Sequence, residues 1–494
     1  MMRFFVMLLA LGISALCPVA LKPQDVASDF ESLKNQLSDS SLPLVNITVD
    51  LDNVSLDAYT GASIEIVVPM MGTGGYVISV FACKVKYRGK YSSYLNKKSF
   101  AVKLLDDDGE SLDASILGIR KDDAWILDAM AVDRIRMRNR VNFDVWNAMS
   151  RTPYETKYDN RNGTLGFFVE VFINEAYQGL YCMTDKINRK LLNLDKAKTD
   201  SNGNPIINGV LYKCEIWGDA AYFAGYDDSP MTEEVWNGWE LQYPDDYPCE
   251  QAYTPLKEFI DFCSTSTDSE LVAQLDNEIY VQNLIDYHVF VLSQGLTDNA
   301  MKNTFLSAVN VNNSESADKI YMITPWDLDA SLGSAWDGDY MYDKVSNVRL
   351  MRVILYSRLW KMPDCDYANK VADRWRELRQ TVLADDAIAN RLDEYAIQLI
   401  ESGAWARERK KWKGNPVALK EDLFEELDYV KQWYSDNATI LDERIFNGLG
   451  SSESVIGDTT SKPIADAIYN VVGQRVTDSY KGFVIKNGKK YIQR

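Results

Sequence analysis

The stretch from residue 298 to residue 333 constrains the fold more than any other part of this chain. It opens with DNAMKNTF, in which Asp298 and Asn303 stand five positions apart. A run of β-type residues, 320–324, then ends in Pro-Trp and two carboxylates, Asp327 and Asp329. Side chains of an extended segment alternate with a period of two, so these two carboxylates are predicted to point the same way and to share one metal ion.

Two interpretations fit this stretch. Phosphoryl transfer needs one carboxylate to orient or deprotonate a hydroxyl, and hard oxygen ligands for Mg²⁺ on nucleotide phosphates. The four polar side chains supply both. The same residues also suit an Asx-rich hairpin, in which Asn and Asp cap a helix start and a turn. The spacing alone leaves both interpretations open.

Composition excludes several other classes of function. The formal net charge is −19, whereas binding to nucleic acid or to an anionic membrane requires clustered cations. The chain has one histidine, His288, so a multi-histidine zinc site is impossible. This histidine lies in the apolar helical run LIDYHVFVLSQ, where a core position is favoured over a catalytic one.

The amino terminus predicts export. Met-Met-Arg precedes an apolar run, 4–16, which is short for a bilayer span and typical of a secretory signal peptide over residues 1–20. The protein is therefore expected to be secreted, periplasmic or on the cell surface, without a transmembrane segment. Loss of Cys17 would leave six of the seven cysteines, which either form disulfides or act as small buried hydrophobic residues.

Residues 21–79 are predicted to form a leader and an N-terminal β extension, because ASIEIVVP and YVISVFACKVKYRG have strand patterns. The next strand ends at Arg88, a loop carries Ser92 and Ser93, and Lys98 precedes another strand. A serine and glycine loop followed by a basic strand can hold nucleotide phosphates through backbone N–H groups and a lysine charge. Solvated surface residues are the alternative.

Further elements follow in order. Apolar residues at helical spacing predict an amphipathic helix that begins near Asp133 and includes Val141, Val145 and Met149. The segment LGFFVEVFINEAYQGLYCMTD is then predicted to form a hairpin with its turn at 174–176.

This order of motifs resembles the CotH family, the spore-coat protein H-like proteins. The resemblance rests on YRGKYSS with KKSFAVKL, then MRNRVNFDVW, FINEAYQGLY, TDN with KN, and PWDLDASLG, and it covers residues 80–446. It implies an α+β domain with an atypical protein-kinase-like fold. It also implies ATP-dependent phosphorylation of Ser or Thr in secreted proteins, with Mg²⁺ or Mn²⁺ as cofactor.

The resemblance also implies roles for individual residues. Asp298 matches the catalytic-loop aspartate, and Asn303, Asp327 and Asp329 match metal-side positions. Nucleotide-binding positions are expected at Arg88, Ser92, Ser93, Lys98 and Asp185. Asp185 departs from the family pattern, because a glutamate usually follows the hairpin, so the reach of a pairing with a lysine such as Lys98 would be one methylene shorter. Lys103 is the alternative to Lys98 as the lysine that neutralises nucleotide phosphates.

The remaining segments complete the predicted domain order. Residues 205–246 form an aromatic and acidic insertion, which either binds a sugar or a basic peptide or packs on its own aromatic rings. A Gly/Ser linker spans 447–462, and 463–494 form a small β module with an Asn487-Gly488 turn signal. That module resembles the C-terminal β modules of secreted Bacteroidetes proteins.

The sequence thus predicts a secreted protein kinase that uses ATP and acts on a secreted protein substrate. The alternative is a catalytically weak surface or scaffold protein that binds protein or glycan through the same fold. Transfer of AMP instead of phosphate is a third chemistry compatible with the same residues.

Overall fold

The computed structural model of this chain describes residues 28–70, 72–247, 249–312, 319–344 and 350–446, together with the strand segments 468–470, 475–476, 482–486 and 489–493. The predicted signal peptide, the Gly/Ser linker and the Asn487-Gly488 turn lie outside the described residues. The described part mixes helices with sheets, as the α+β prediction requires.

Seven strands close into a barrel in the first part of the chain. The strands of this region are β1 Leu44–Val49, β2 Thr60–Met70, β3 Gly75–Arg88, β4 Ser99–Leu105, β5 Ala114–Ser115, β6 Lys121–Asp122, β7 Ala124–Asp128, β8 Gly166–Ile173 and β9 Ala176–Asp185. The barrel order is β1-β2-β3-β4-β7-β9-β8, and a parallel pairing of β1 with β8 closes it. The short β5 and β6 pair with each other outside the barrel.

Alternating side chains explain how the barrel is filled. In β4, Phe100, Val102 and Leu104 are buried in its apolar core, while the residues between them are less buried. The strands β1 and β2 and the start of β3 come from residues 21–79, so the predicted β extension is part of the same barrel as the segments that follow it. The predicted hairpin is confirmed: β8 and β9 join through Asn174 and Glu175, both with positive φ.

Two helices accompany the barrel, α1 Asp29–Lys34 and α2 Arg138–Met149. The Asp133 side chain stabilises the start of α2, because its Oδ2 accepts hydrogen bonds from the backbone N–H groups of Met137 and Arg138, both at 2.7 Å. These N–H groups have no partner inside the helix. The predicted helix is therefore confirmed, but it begins at Arg138, five residues after Asp133.

A second, five-stranded sheet contains the stretch with which the sequence analysis began. Its region comprises β10 Lys198–Thr199, β11 Pro205–Ile206, β12 Val210–Cys214, β13 Val235–Trp236, β14 Trp239–Tyr243, β15 Thr304–Ala308 and β16 Met322–Pro325. The sheet order is β13-β14-β12-β15-β16, and β10 pairs with β11 separately. The aromatic insertion thus supplies strands to this sheet. Its aromatic rings also pack on one another: the ring centres of Tyr226 and Trp236 are 5.3 Å apart.

Eight helices in the described part of the chain follow β14 in sequence. They are α3 Cys249–Thr265, α4 Asp268–Glu278, α5 Val281–Gln294, α6 Ile354–Lys361, α7 Tyr367–Arg379, α8 Asp385–Glu401, α9 Ala404–Lys411 and α10 Leu423–Ile440. The helices α3 and α5 pack against strands β14 and β16 of this sheet, whereas α9 packs against β9 of the barrel. From Asn283 onward every residue of α5 is buried, so this helix forms the centre of the larger apolar core.

Four strands near the carboxyl terminus, β17 Ile468–Asn470, β18 Arg475–Val476, β19 Gly482–Lys486 and β20 Lys489–Gln493, pair antiparallel in the order β18-β17-β19-β20. Within the residues that the structure describes, no helix combines the length and the apolar character that a membrane crossing needs.

Candidate active site

The end of α5 fixes the turn that carries Asp298. The helix ends at Gly295, which adopts a left-handed conformation with φ 62°. The Asn299 side-chain amide then donates to the carbonyls of Asn303 at 3.1 Å and Trp326 at 2.7 Å. The turn is therefore held by hydrogen bonds to its own end and to the chain beyond β16.

The Asp298 carboxylate has two partners in this turn. Asn303 Nδ2 donates to Asp298 Oδ2 at 2.9 Å, so the two residues of the D-x-x-x-x-N spacing are in direct contact. Lys302 Nζ lies 2.9 Å and 2.7 Å from the two carboxylate oxygens, and 4.7 Å from the centre of the Trp217 ring. The sequence analysis missed Lys302, although its position four residues after the aspartate in a turn offered a signal.

The hairpin of β15 and β16 brings the second pair of carboxylates to the same place. Thr304 pairs with Pro325, and the Trp326 N–H donates to the Asn303 carbonyl at 2.9 Å. Asp327 follows immediately and has φ 56°. The prediction that Asp327 and Asp329 alternate in an extended segment is wrong, because β16 ends at Pro325 and the chain turns. They are close through the turn instead.

The charges of this turn repel each other. In the described part of the chain, neither the Asp327 nor the Asp329 carboxylate has a hydrogen-bond or ion-pair partner. Asp327 is exposed and Asp329 is half-buried, although neighbouring protein atoms still reduce the hydration of both carboxyl groups. Burial raises the pKa of Asp327; Lys213 opposes this shift, and Asp298 adds to it. Burial and then the Asp327 charge raise the pKa of Asp329 well above its usual value. A bound cation would relieve this repulsion.

Two further polar residues, missed by the sequence analysis, join this cluster. Asp128 ends β7, and its Oδ2 accepts the Asn139 side-chain amide at 2.9 Å. Asn139 Oδ1 in turn accepts the Leu328 N–H at 3.1 Å. Asn139 therefore ties the barrel to the turn of Asp327 and Asp329. The sequence signal was a carboxylate at the end of the strand AWILD.

These oxygens fit a magnesium ion that shares its coordination with phosphates. Mg²⁺ is usually held by one or two carboxylates plus waters and substrate phosphates. In the described residues, the group of three carboxylates that come within 4.8 Å of one another is Asp113, Asp122 and Asp123. Lys190 binds that trio at 2.5, 3.4 and 2.6 Å, so it is an ion-pair cluster. The Asp327 turn offers a two-carboxylate site with open positions.

Cationic side chains lie near the turn of Asp327 and Asp329. The Arg88 guanidinium, at the end of β3, is 5.3 Å from the centre of the Trp326 ring. Lys213 on β12 pairs with Glu215, and Lys90 also reaches Glu215 at 2.6 Å. The pKa of Asp327 is raised by burial, and the positive charges of Lys213 and Arg88 both oppose this shift. Of the predicted nucleotide-binding residues, Arg88 therefore lies beside Trp326, the residue before Asp327.

In the loop of residues 89–98, polar side chains form hydrogen bonds to the backbone of the loop itself. The Lys98 ammonium donates to the Ser93 carbonyl, and Ser93 Oγ donates to the Lys90 carbonyl at 2.5 Å. Gly89 has φ 105°, and a Cβ there would lie 1.9 Å from Ser92 Oγ. Ser92, Ser93 and Lys98 therefore shape this loop, and the structure records no contact between them and the carboxylates.

The expected pairing of Lys98 with Asp185 is not formed. The buried Asp185 carboxylate is bound by Arg120 at 2.8 Å and Arg161 at 3.0 Å. The structure pairs the preceding lysine, Lys97, with Glu408 on α9 at 2.6 Å. Lys97 is fully buried at this contact, whereas Lys98 is half-buried.

The side chains of the single histidine and of the described cysteines lie outside the candidate site. His288 is buried, its Nδ1 lies 3.2 Å from the Tyr367 hydroxyl, and burial lowers its pKa to about 3. It is therefore a neutral core residue, as predicted. Five cysteines whose side chains the structure describes are free thiols: Cys83, Cys182, Cys214, Cys263 and Cys365.

One comparison with known proteins gives a match. A family model described as CotH kinase protein matches residues 85–441, which are most of the chain. No curated protein matches it. The matched range includes both polar turns, the cationic groups beside them and the helices that hold them.

Proposed function

Because this chain belongs to the CotH kinase protein family, we propose that it transfers the terminal phosphate of ATP to a Ser or Thr hydroxyl of an extracytoplasmic protein. The contact between Asn303 and Asp298, next to the turn of Asp327, carries this proposal. In protein kinases an aspartate and an asparagine of one D-x-x-x-x-N loop, and a metal-binding aspartate of a second motif, surround the transferred phosphate.

Asp298 orients the acceptor hydroxyl and takes its proton. Lys302 and Asn303 hold this carboxylate in place through hydrogen bonds to its oxygens. The hydroxyl oxygen forms a bond to the γ-phosphorus, the bond from that phosphorus to the bridging oxygen breaks, and ADP leaves. Positioning and charge stabilisation supply most of the rate enhancement in this type of reaction.

Asp327, Asp329 and Asn303 are the residues that would hold Mg²⁺. The ion supplies neutralisation of phosphate charge when it is bound. Asp128, through Asn139, keeps the turn of these ligands against the barrel. The unpartnered carboxylates and their raised pKa values support this assignment.

The acceptor class follows from the amino-terminal sequence. A segment typical of a secretory signal peptide implies that acceptor proteins are met outside the cytoplasm. The proposal therefore also requires ATP in that compartment or during export.

The test uses ATP labelled at two positions. The purified mature protein is incubated with Mg²⁺, candidate secreted proteins and either γ-labelled or α-labelled ATP. Label transferred from γ-labelled ATP alone, lost in Asp298→Asn, is the expected result. Transfer from α-labelled ATP would instead assign AMP transfer. No transfer with either label, to itself or to any acceptor, would favour the scaffold function.

A further inference from the structure

The aromatic insertion contributes to a recess that the candidate active site does not use. The recess has a volume of about 280 Å³, and its walls are residues 226–232, Trp236 on β13, and Glu250 and Lys257 on α3. The strand β13 forms one edge of the five-stranded sheet, and β16, which leads to Asp327, forms the other edge. Neighbouring strands are about 4.8 Å apart, so four strand spacings place these two edges about 19 Å from each other. The recess is therefore separate from the carboxylate turn.

Two aromatic rings line the recess. The Trp236 ring is buried, and its centre lies 5.3 Å from the centre of the half-buried Tyr226 ring. Trp236 Nε1 donates to the Ser229 carbonyl at 3.0 Å, and the Tyr226 hydroxyl donates to Asp261 Oδ1 at 2.8 Å. Since the polar groups of both rings already have partners, the rings present carbon and π surface to the recess.

The recess already holds one cation beside a ring. The Lys257 ammonium lies 4.8 Å from the centre of the Tyr226 ring, within the range of a cation–π contact, and 3.3 Å from Asp261 Oδ2. Asp261 therefore compensates the charge of Lys257 from within α3. A cation is accordingly favourable beside this ring when a carboxylate is close to it.

Other carboxylates of the recess are not compensated. Asp228 and Glu250 line it and are exposed, and within the described residues no hydrogen bond or ion pair reaches either carboxylate. The segment 226–250 contains eight Asp and Glu residues and no Lys or Arg. The recess therefore combines unpaired negative charge with apolar ring surface. A complementary ligand carries a positive charge on an apolar stem.

Size and ring exposure decide between the possible ligands. Pockets for small molecules measure about 300–1,000 Å³, so this recess suits one or two side chains of a protein. A neutral sugar would stack on an exposed ring face, but Trp236 is 2% exposed and Lys257 occupies the side of Tyr226. An arginine side chain fits better, because its stem packs on ring carbon and its planar guanidinium forms paired hydrogen bonds with carboxylates.

We infer that this recess docks a basic segment of a partner protein, whose arginine side chain packs on Tyr226 and Trp236 and pairs with Asp228 and Glu250. The identification of this partner as the phosphate acceptor rests on the proposed function. An extended chain advances at most about 3.6 Å per residue, so the arginine and the accepting hydroxyl are separated by at least about six residues. The recess thus selects acceptors through a segment remote from their Ser or Thr.

The test compares the double variant Asp228→Asn/Glu250→Gln with Asp245→Asn/Asp246→Asn, which neutralises two exposed carboxylates of the insertion outside the recess. Calorimetric titration uses a short arginine-containing peptide with an otherwise neutral sequence, and the same peptide with glutamine in place of arginine. The wild-type protein is expected to bind the arginine peptide more tightly than the glutamine peptide. Asp228→Asn/Glu250→Gln should weaken binding of the arginine peptide about tenfold or more, because it removes both charged acceptors. The control should keep its affinity within about twofold of the wild type.

Three results would overturn the inference. Equal weakening by both double variants would mean general attraction to the net charge of −19. Equal affinity of the wild type for the arginine and glutamine peptides would remove the role of the cation. Binding of a neutral oligosaccharide that Asp228→Asn/Glu250→Gln weakens, without binding of the arginine peptide, would assign the recess to a glycan. Both double variants change exposed side chains, so their melting temperatures should stay close to that of the wild type.

The titrations need neither ATP nor turnover, so this inference and the proposed function can fail separately. If the wild-type protein binds the arginine peptide through Asp228 and Glu250 but transfers no phosphate, the docking site stands and the kinase activity fails. If it transfers phosphate but binds both peptides equally, the inference alone fails. If both hold, Asp228→Asn/Glu250→Gln should raise the KM of an acceptor whose arginine is about six or more residues from its serine, and kcat should change much less.

Discussion

Asn303 donates its side-chain amide to Asp298 Oδ2 at 2.9 Å, across the turn that separates α5 from the hairpin of β15 and β16. The residue proposed to orient the acceptor and one proposed to face the metal are thus in contact. Asn303 also accepts the Trp326 N–H through its carbonyl, one residue before Asp327. A single residue therefore connects both polar turns of the site.

Asp298→Asn should lower turnover by about 10²–10⁴-fold, because a general base acts mainly in the transition state. Affinity for ATP with Mg²⁺ should remain close to that of the wild type. Steady-state kinetics together with calorimetric titration of a non-hydrolysable ATP analogue measure the two effects separately. Turnover within threefold of the wild type would remove Asp298 from the role of base.

Asp327→Asn and Asp329→Asn should instead weaken nucleotide binding that depends on metal, because each variant removes a proposed ligand. Mg²⁺ should raise the melting temperature of the wild-type protein and raise that of either variant less. Titrations with Mg²⁺ and with a chelator provide the comparison. Equal, metal-independent ATP binding by all three proteins would contradict the phosphoryl-transfer proposal.

The unliganded protein should lose stability as the pH rises above about 4. Asp327 and Asp329 have raised pKa values in the folded state, whereas an unfolded aspartate titrates near 3.9. The folded state therefore holds more protons over the window from about 4 up to the raised values, and its stability falls as these protons leave. Denaturation in chelator at several pH values tests this, and Asp329→Asn should show a shallower decline.

Glu408→Gln should destabilise the protein by about 3–5 kcal/mol, because it leaves the buried Lys97 and Arg136 without their shared anion. Glu408 accepts from these residues at 2.6 Å and 2.8 Å. The control is Asp393→Asn, which breaks a half-exposed pair with Lys431 at 2.5 Å and should cost below about 1 kcal/mol. Urea denaturation compares them; equal losses would argue against a structural role for the Glu408 cluster.

Gly89→Ala should weaken binding of ATP with Mg²⁺, because the new Cβ would lie 1.9 Å from Ser92 Oγ and would shift the backbone next to Arg88, whose guanidinium lies 5.3 Å from the centre of the Trp326 ring beside Asp327. Gly109→Ala is the matched control, since Gly109 also has positive φ, 83°, but has open space around it. Both changes should cost about 1 kcal/mol of stability through backbone strain. Calorimetric titration should show reduced affinity for Gly89→Ala alone, and equal affinities would separate this loop from the nucleotide.

Local patterns in the sequence predicted several parts of this protein correctly. The D-x-x-x-x-N spacing singled out Asp298 and Asn303, and the structure shows that the two residues are in contact within one short turn. The hairpin at Asn174 and the approach to α2 near Asp133 were likewise set by residues within a few positions of each other. Such features depend on backbone and side-chain preferences that act over short distances along the chain.

Tertiary structure alone decided the rest. Lys97 and Glu408 are separated by 311 positions, and nothing along the chain marks them as partners. The sequence analysis selected Lys98, with Lys103 as the alternative, and only the fold shows that Lys97 is the lysine buried against a carboxylate. These relationships arise from packing and long-range charge, which depend on where distant segments meet.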